Sequence, residues 1–387
     1  MQSELVQPQA TPSRSRRLSV ALLVFSLGVP MLATAAAPTA KLNVPPGFVV
    51  ETYAEGVENA RAMAWGDRGT LFVGSRDKGQ VYALSDGDGD GRAETVRVIA
   101  KGLRMPVGVA FREGALYVSA VERIVRFDDI ENRLDNPPQP VVAIADLPSE
   151  RHHGWRYIAF GPDGKLYVPI GAPCNVCDDA GFATLLRMNP DGSERQVIAE
   201  GVRNSVGFDW HPDSGALWFT DNGRDWLGDD SPDCELNRLD APGGHFGFPY
   251  CHAGILDPEF GDGKSCSDYI APAGRLGAHT APLGIRFYTG SAFPADYRGH
   301  ALIARHGSWN RSVKSGYDVV RARIEDGRVT AIEPFLTGFL DGQKTLGRPV
   351  DVIQAADGSV LVSDDHAHAI YRIRYVGTDS SIGNGQP

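Results

Sequence analysis

FGPDGKLYV, residues 160–168, joins the end of one apolar strand to the start of another through a polar turn. Pro162 presets the turn backbone, Asp163 can bond to the main chain two residues on, and Gly164 can take a positive φ. The pattern recurs as WGDRGTLFV at 65–73, FREGALYV at 111–118, WHPDSGALWF at 210–219, YRGHALI at 297–303 and QAADGSVLV at 354–362. Each copy carries the period-2 alternation of a β-hairpin. The turn glycines Gly69, Gly114, Gly164, Gly215, Gly299 and Gly358 are spaced by 45, 50, 51, 84 and 59 residues. A further strand follows each hairpin: GQVYAL, RIVRF, TLLRM, CELNRL, YDVVRARI and AIYRIRY. A unit this small cannot bury its apolar faces alone, so such units stack. Six units at this spacing predict an all-β, six-bladed β-propeller spanning residues 38–378, because a sandwich has no reason to repeat one hairpin. The 84-residue gap predicts a loop-rich insertion carrying three of the five cysteines.

The 387 residues include 45 glycines and 26 prolines, in keeping with many short strands and turns. Ahead of the repeats, SRSRR, then LSVALLVFSLGVPMLA and TAAAP, read as the three regions of a secretory signal cleaved near Ala37. Gly28 and Pro30 interrupt the apolar run, which falls short of the roughly 20 residues that span a bilayer. Arg16-Arg17 leaves a twin-arginine route open. The expected product is periplasmic or secreted, with a disordered tail at 379–387. Loss of residues 1–37 removes three arginines and one glutamate and takes the net charge from −10 to about −12, which argues against a nucleic-acid partner.

Export makes disulfides available to Cys174, Cys177, Cys234, Cys251 and Cys266. Local pairing would join Cys174 to Cys177 and Cys251 to Cys266 and leave Cys234 over. A free or redox-active pair and a metal site are the alternatives at Cys174-x-x-Cys177, although no second ligand pair follows at zinc spacing. Asp178 stands where a c-type haem needs histidine.

In a propeller, loops distant in sequence meet on one axis. His153 lies just before WRYIAF, where its side chain can reach that axis, and imidazole titrates near neutrality as a general base should. A surface loop histidine is the plainer alternative. Arg203-Asn204 holds the same place in the next repeat, offering a guanidinium fork and an amide, or else a solvated ion pair. TDNGRDWLGDD is rich in the oxygen ligands that calcium takes, as any acidic loop is. DGDGDGR at 86–92 fails as an EF-hand because Arg97 stands where glutamate is required, and it reads as a connector between blades. No GxSxG elbow, Walker sequence or HExxH occurs.

Together, HHGWRYIAFGPDGKLYV, GVRNSVGFDWHPDSGALWFTDNGRD, DDSPDCELNRLDAPGGHFGFPYC and HGSWNRSVKSGYDVVRARI resemble the soluble pyrroloquinoline quinone (PQQ)-dependent sugar dehydrogenases. The L-sorbosone dehydrogenase-like branch is the nearest in look, over about Val44 to Tyr375. That resemblance implies a six-bladed propeller with the quinone and a calcium ion on its axis. It also implies His153 as the base and Arg203 as its catalytic partner. Arg203, Asn204, Arg348, His306 and Arg61 would bind the cofactor, with the metal at Gly223, Arg224 and Asp225. Trp155 and Trp309 would line the entrance. His152 is expected to face solvent or to bond to the insertion.

The chain departs from the glucose-oxidising relatives at Arg224, Val206 and Val350, where they carry proline, glutamine and a second arginine. Glu235 fits a second calcium site of some relatives, but Phe246 replaces its tyrosine. The substrate class implied is an aldose, a sorbosone-like aldosulose or a related sugar, with a cytochrome or similar partner taking the electrons. A calcium-dependent lactonase-like hydrolase and a non-catalytic ligand-binding propeller are the competing functions.

Overall fold

The computed structural model describes residues 37–378, so the expected leader, Ala37 apart, and the expected tail at 379–387 lie outside the described residues. Six antiparallel sheets follow one another along the chain, each built from four consecutive strands except where noted. Blade 1 comprises Ala60–Trp65, Leu71–Ser75, Gln80–Ser85 and Thr95–Lys101. Blade 2 comprises Val109–Arg112, Ala115–Ala120, Arg123–Phe127 and Val141–Ile144. Blade 3 comprises Ala159–Phe160, Leu166–Ile170, Thr184–Met188 and Gln196–Glu200. Blade 4 comprises Phe208–Trp210, Leu217–Asp221, Asp233–Leu239 and Gly274–Ala278. Blade 5 comprises Pro282–Phe287, Ala301–Arg305, Asp318–Glu325 and Arg328–Leu336. Blade 6 takes Pro349–Gln354, Val360–Asp364 and Ala369–Tyr375, and its fourth strand is Phe48–Glu55 from the other end of the chain. The architecture is the six-bladed β-propeller that the repeats predict, with no α-helix among the described residues.

Burial follows from this stacking. The second strands of blades 1, 2, 3, 4 and 6 are buried at every position, because neighbouring sheets cover both faces. The apolar runs LFV at 71–73 and LWF at 217–219 are the sequence form of that environment, and the buried polar residues that follow them, Ser75, Thr220 and Asp221, lie at the ends of the same strands. Outer strands meet solvent, and Val141 and Val142 are half exposed.

Two features depart from the hairpin pattern. The fifth hairpin does not turn at YRGHALI alone: residues 288–300 join its strands and hold a short 3-10 turn, Ala295–Tyr297. WRYIAF is strand only at Ala159–Phe160. The insertion, residues 240–273, leaves blade 4 after its third strand, and Gly244–His245 pairs in parallel with the outer strand of blade 3. Disulfides join Cys174 to Cys177 and Cys251 to Cys266, and Cys234 is free and buried.

Candidate active site on the propeller axis

One end of the axis opens into a cavity of about 410 Å³. Two sets of positions build its wall. The first lies before or at the start of the innermost strands and supplies Arg61, His153, Arg203, Asn204, His279 and Arg348. The second is the residue directly after a second strand, which supplies Arg76, Asn222 and His306, with Val121, Gly171 and Asp365 at the same position in the other blades. Trp155 and Leu283 add apolar surface to the wall, and behind Trp155 pack two small buried clusters, Val206, Leu283 and Val350 and Met105, Val107 and Val121.

The wall is strongly cationic. Arg61, Arg76, Arg151, Arg203 and Arg348 line it with one carboxylate, Asp225, while Asp365 and Asp77 stand behind it against Arg61 and Arg76, Asp77 at 3.0 Å from Arg76. Asp365 receives Arg61 Nη1 at 3.0 Å and His306 Nε2 at 2.8 Å, with Arg76 at 3.9 Å. Burial pushes its carboxyl up, but His306 and Arg61 outweigh burial and hold it well below the usual carboxylate range. His306 is lowered to about 4, chiefly by burial, so the imidazole is neutral beside an ionised Asp365. Asp225 lies 3.6 Å from Arg203 and 3.8 Å from His279. Three acids against five guanidinium groups leave a surplus of positive charge in a partly desolvated space, which an anionic ligand would neutralise.

His153 is half-buried, and its Nδ1 lies 2.8 Å from the Ala172 carbonyl oxygen. A carbonyl only accepts, so Nδ1 carries the proton and Nε2 keeps a free lone pair. Burial first, then the Arg203 charge, pushes the imidazole well below its ordinary pKa, so at neutral pH it is an unprotonated base. Gly171 lets the two loops approach closely: a Cβ there would fall 2.6 Å from the His153 Cβ. His152, exposed at the rim, packs its ring 4.1 Å from that of His153.

Arg203 is held from three sides, by the Asn175 carbonyl at 2.9 Å, the Asn175 side chain at 2.9 Å and the Asn222 carbonyl at 3.2 Å. Its backbone N–H and that of Asn204 both donate to Asp221, at 2.8 and 2.6 Å. Burial and the nearby Glu235 push the Asp221 carboxyl up to about 8. The Asn204 Oδ1 is buried without a hydrogen-bond partner, as is the Arg61 Nε. These orphaned polar atoms and the surplus charge suit a planar, multiply carboxylated ligand with its own donors and acceptors. Arg348 donates to the carbonyls of His306, at 3.1 Å, and Gly307, at 2.6 Å.

Of the residues expected at a metal, Gly223 and Asp225 line the cavity. The Arg224 side chain turns away, bonding to the buried Asp257, which also meets His252 at 2.9 Å. Glu235 is buried and bonds to Asn237 and Ala253 rather than facing this cavity. DGDGDGR lies between the third and fourth strands of blade 1, where Asp86, Asp88, Asp90 and Glu94 have oxygens within 4.8 Å of one another. The stretch therefore joins two strands of one blade, not two blades as its sequence suggested, and Glu94 accepts from the Gly87 backbone N–H at 2.7 Å.

The sequence reading brought together His153, Arg203, Asn204, Arg348, His306 and Arg61, and all six line the cavity. It missed Arg76, Asn222, His279, Asp365 and Asn175. Superimposing the repeats carries the signal for three of these, since Arg76, Asn222 and Asp365 occupy the same position after their second strands. Trp226 and Trp309, 65% and 67% exposed, meet edge to face at 5.4 Å, and Trp309 is on the cavity rim.

Fold and site together are those of a six-bladed propeller with a basic axial cavity. The chain belongs to the TrAA12-like family, which matches residues 42–375. An uncharacterized protein of Borreliella burgdorferi is 35% identical over 355 residues, which are 87% of this chain and 92% of that protein. The fold is shared with the Trichoderma reesei Carbohydrate-Active Enzymes Family AA12 structure, at a TM-score of 0.77 and 19% identity, covering 86% of this chain and 97% of that one. It is also shared with the PQQ domain of pyranose dehydrogenase from Coprinopsis cinerea, at a TM-score of 0.73 and 20% identity over 86% and 97% of the two chains. No helix among the described residues is long and apolar enough to cross a membrane.

Proposed function

We propose that this protein is a PQQ- and calcium-dependent sugar dehydrogenase with His153 as its general base. The observation that carries this reading is the pairing, in one cavity, of a surplus of guanidinium groups with an imidazole whose Nε2 is free. PQQ carries three carboxylates, and Arg61, Arg76, Arg203 and Arg348 are suited to them. Asn204 Oδ1 would satisfy a donor on the ligand or on a water beside it. Gly223 and Asp225, with the Arg224 backbone, would hold calcium at the same wall. When bound, the quinone would supply the two-electron acceptor for a hydride. The chain's part is the proton: His153 Nε2 takes it from the sugar hydroxyl as the C–H hydride leaves, and Arg203 steadies the negative charge that builds on that oxygen. Trp309 and Trp226 offer flat faces to sugar C–H groups at the mouth.

The family and the PQQ-containing fold relatives support this assignment. A Trichoderma reesei AA12 structure described as a calcium structure supports the metal, with a TM-score of 0.78. The finer expectations of a sorbosone-like aldosulose among the substrates, a cytochrome-like acceptor and a periplasmic or secreted site belong to the same proposal. Two disulfides are in keeping with export. The lactonase reading needs a cage of several carboxylates, whereas Asp225 is the one acid lining the cavity and the nearby Asp365 is engaged by Arg61 and His306.

Calorimetric titration of metal-stripped protein with PQQ, before and after adding calcium, tests the assignment. Saturable 1:1 binding that tightens with calcium and weakens in Arg203→Ala and Arg348→Ala is expected. Absence of binding in calcium, or binding indifferent to both arginines, would overturn it.

A further inference from the structure

Asn175 sits inside the four-residue ring closed by the Cys174–Cys177 disulfide, and its carbonyl and side-chain amide bond to two residues of the axial site, Arg203 and Asp225. Its backbone carbonyl accepts from Arg203 Nε at 2.9 Å. Its side-chain Oδ1 accepts both from Arg203 Nη2 at 2.9 Å and from the backbone N–H of Asp225 at 2.9 Å. Its Nδ2 donates to the Asp225 carbonyl at 3.2 Å. The amide therefore pairs with both main-chain groups of Asp225 as a neighbouring strand would, while fixing one edge of the Arg203 guanidinium. Among side chains of this length, only asparagine offers an acceptor and a donor in that arrangement.

We propose that Asn175 is a positioning residue that sets Arg203 against the Gly223–Asp225 turn, and that the Cys174–Cys177 disulfide holds it there. The proposal rests on the axial cavity being an anion site. Blades 3 and 4 supply the two halves of that site, Arg203 from the connection between them and Asp225 from the loop after the second strand of blade 4. Residues 171–183 form the loop that reaches across from blade 3. Arg203 cannot satisfy Asn175 and swing toward Asp225 at once, so the Asn175 bonds keep the two opposite charges 3.6 Å apart rather than in a tight pair. A closer pair would neutralise Arg203 and remove it from an incoming carboxylate. The short disulfide ring restricts the loop that carries Asn175, so less order remains to be imposed when the ligand binds.

Two readouts test this, PQQ binding by quenching of tryptophan fluorescence and amide hydrogen exchange at Asp225. In Asn175→Ala, losing the side chain's bond to the Arg203 guanidinium and both of its bonds to the Asp225 main chain should weaken PQQ binding by about tenfold or more. The Asp225 amide should exchange faster, while amides in the second strands of the other blades keep wild-type protection. Asn175→Asp keeps the acceptor, so Asp225 protection should return, but PQQ binding should stay weak because the new carboxylate pairs with Arg203. Cys174→Ser/Cys177→Ser should reproduce the Asn175→Ala pattern. Asp225 protection and PQQ affinity both unchanged in Asn175→Ala would overturn the positioning role, and an unaltered double cysteine variant would overturn the part given to the disulfide. If wild-type protein binds no PQQ, the quinone assignment fails, and the exchange readout still decides whether Asn175 organises the turn.

Discussion

His153 is a base because its other nitrogen is committed. With Nδ1–H given to the Ala172 carbonyl, Nε2 has no proton to lose before it can accept one. His153→Ala should lower kcat by about 10²–10⁴-fold while leaving PQQ affinity near wild type, measured by dye reduction and by calorimetry. The depressed pKa fixes the pH profile. The base is active when unprotonated, so kcat/KM should be flat from pH 7 upward and decline only well below pH 6.5. Arg203 is one cause of the depression, so in Arg203→Ala the residual activity should show an acid limb shifted toward pH 6.5. Gly171→Ala should displace the imidazole and lower kcat, since the new methyl would overlap the His153 Cβ and carbonyl. His153, Arg203 and Asn204 were legible because each precedes a recognisable inner strand. The Asp365 cluster was not, because its meaning lies in partners about 300 and 59 residues away, Arg61 and His306.

Hairpins were the legible elements, since period-2 alternation about a glycine turn survives without knowledge of neighbours. The fourth strand of blade 6 was not, because FVVETYAE has no hairpin partner beside it in sequence; its partner is Ala369–Tyr375. That closure should dominate stability. Phe48 and Tyr53 are buried on this strand, and losing their burial alone removes at least about 3 kcal/mol. A chain lacking residues 1–55 should therefore melt at a distinctly lower temperature than one beginning at residue 37, and should aggregate through the exposed strand edge. Equal melting temperatures would show that the ring does not depend on this strand. The insertion was legible as loop-rich, but its parallel pairing with blade 3 depends on tertiary packing that composition does not encode.

The whole molecule places a basic cavity in an acidic protein of net charge −10. Blade number was readable from six turn glycines, whereas the balance of charge on the axis was not, because it depends on which side of each strand end faces inward. That balance predicts that Arg348→Ala weakens PQQ binding by about tenfold or more and that raising the salt weakens wild-type binding further, both read by titration. The most direct test of the account is dye reduction by wild-type and His153→Ala proteins loaded with PQQ and calcium, across aldoses and L-sorbosone. The account predicts sugar-dependent reduction that requires PQQ and collapses in His153→Ala although the quinone remains bound. PQQ-loaded wild-type protein that oxidises none of these sugars, or a His153→Ala variant as active as wild type, would contradict it.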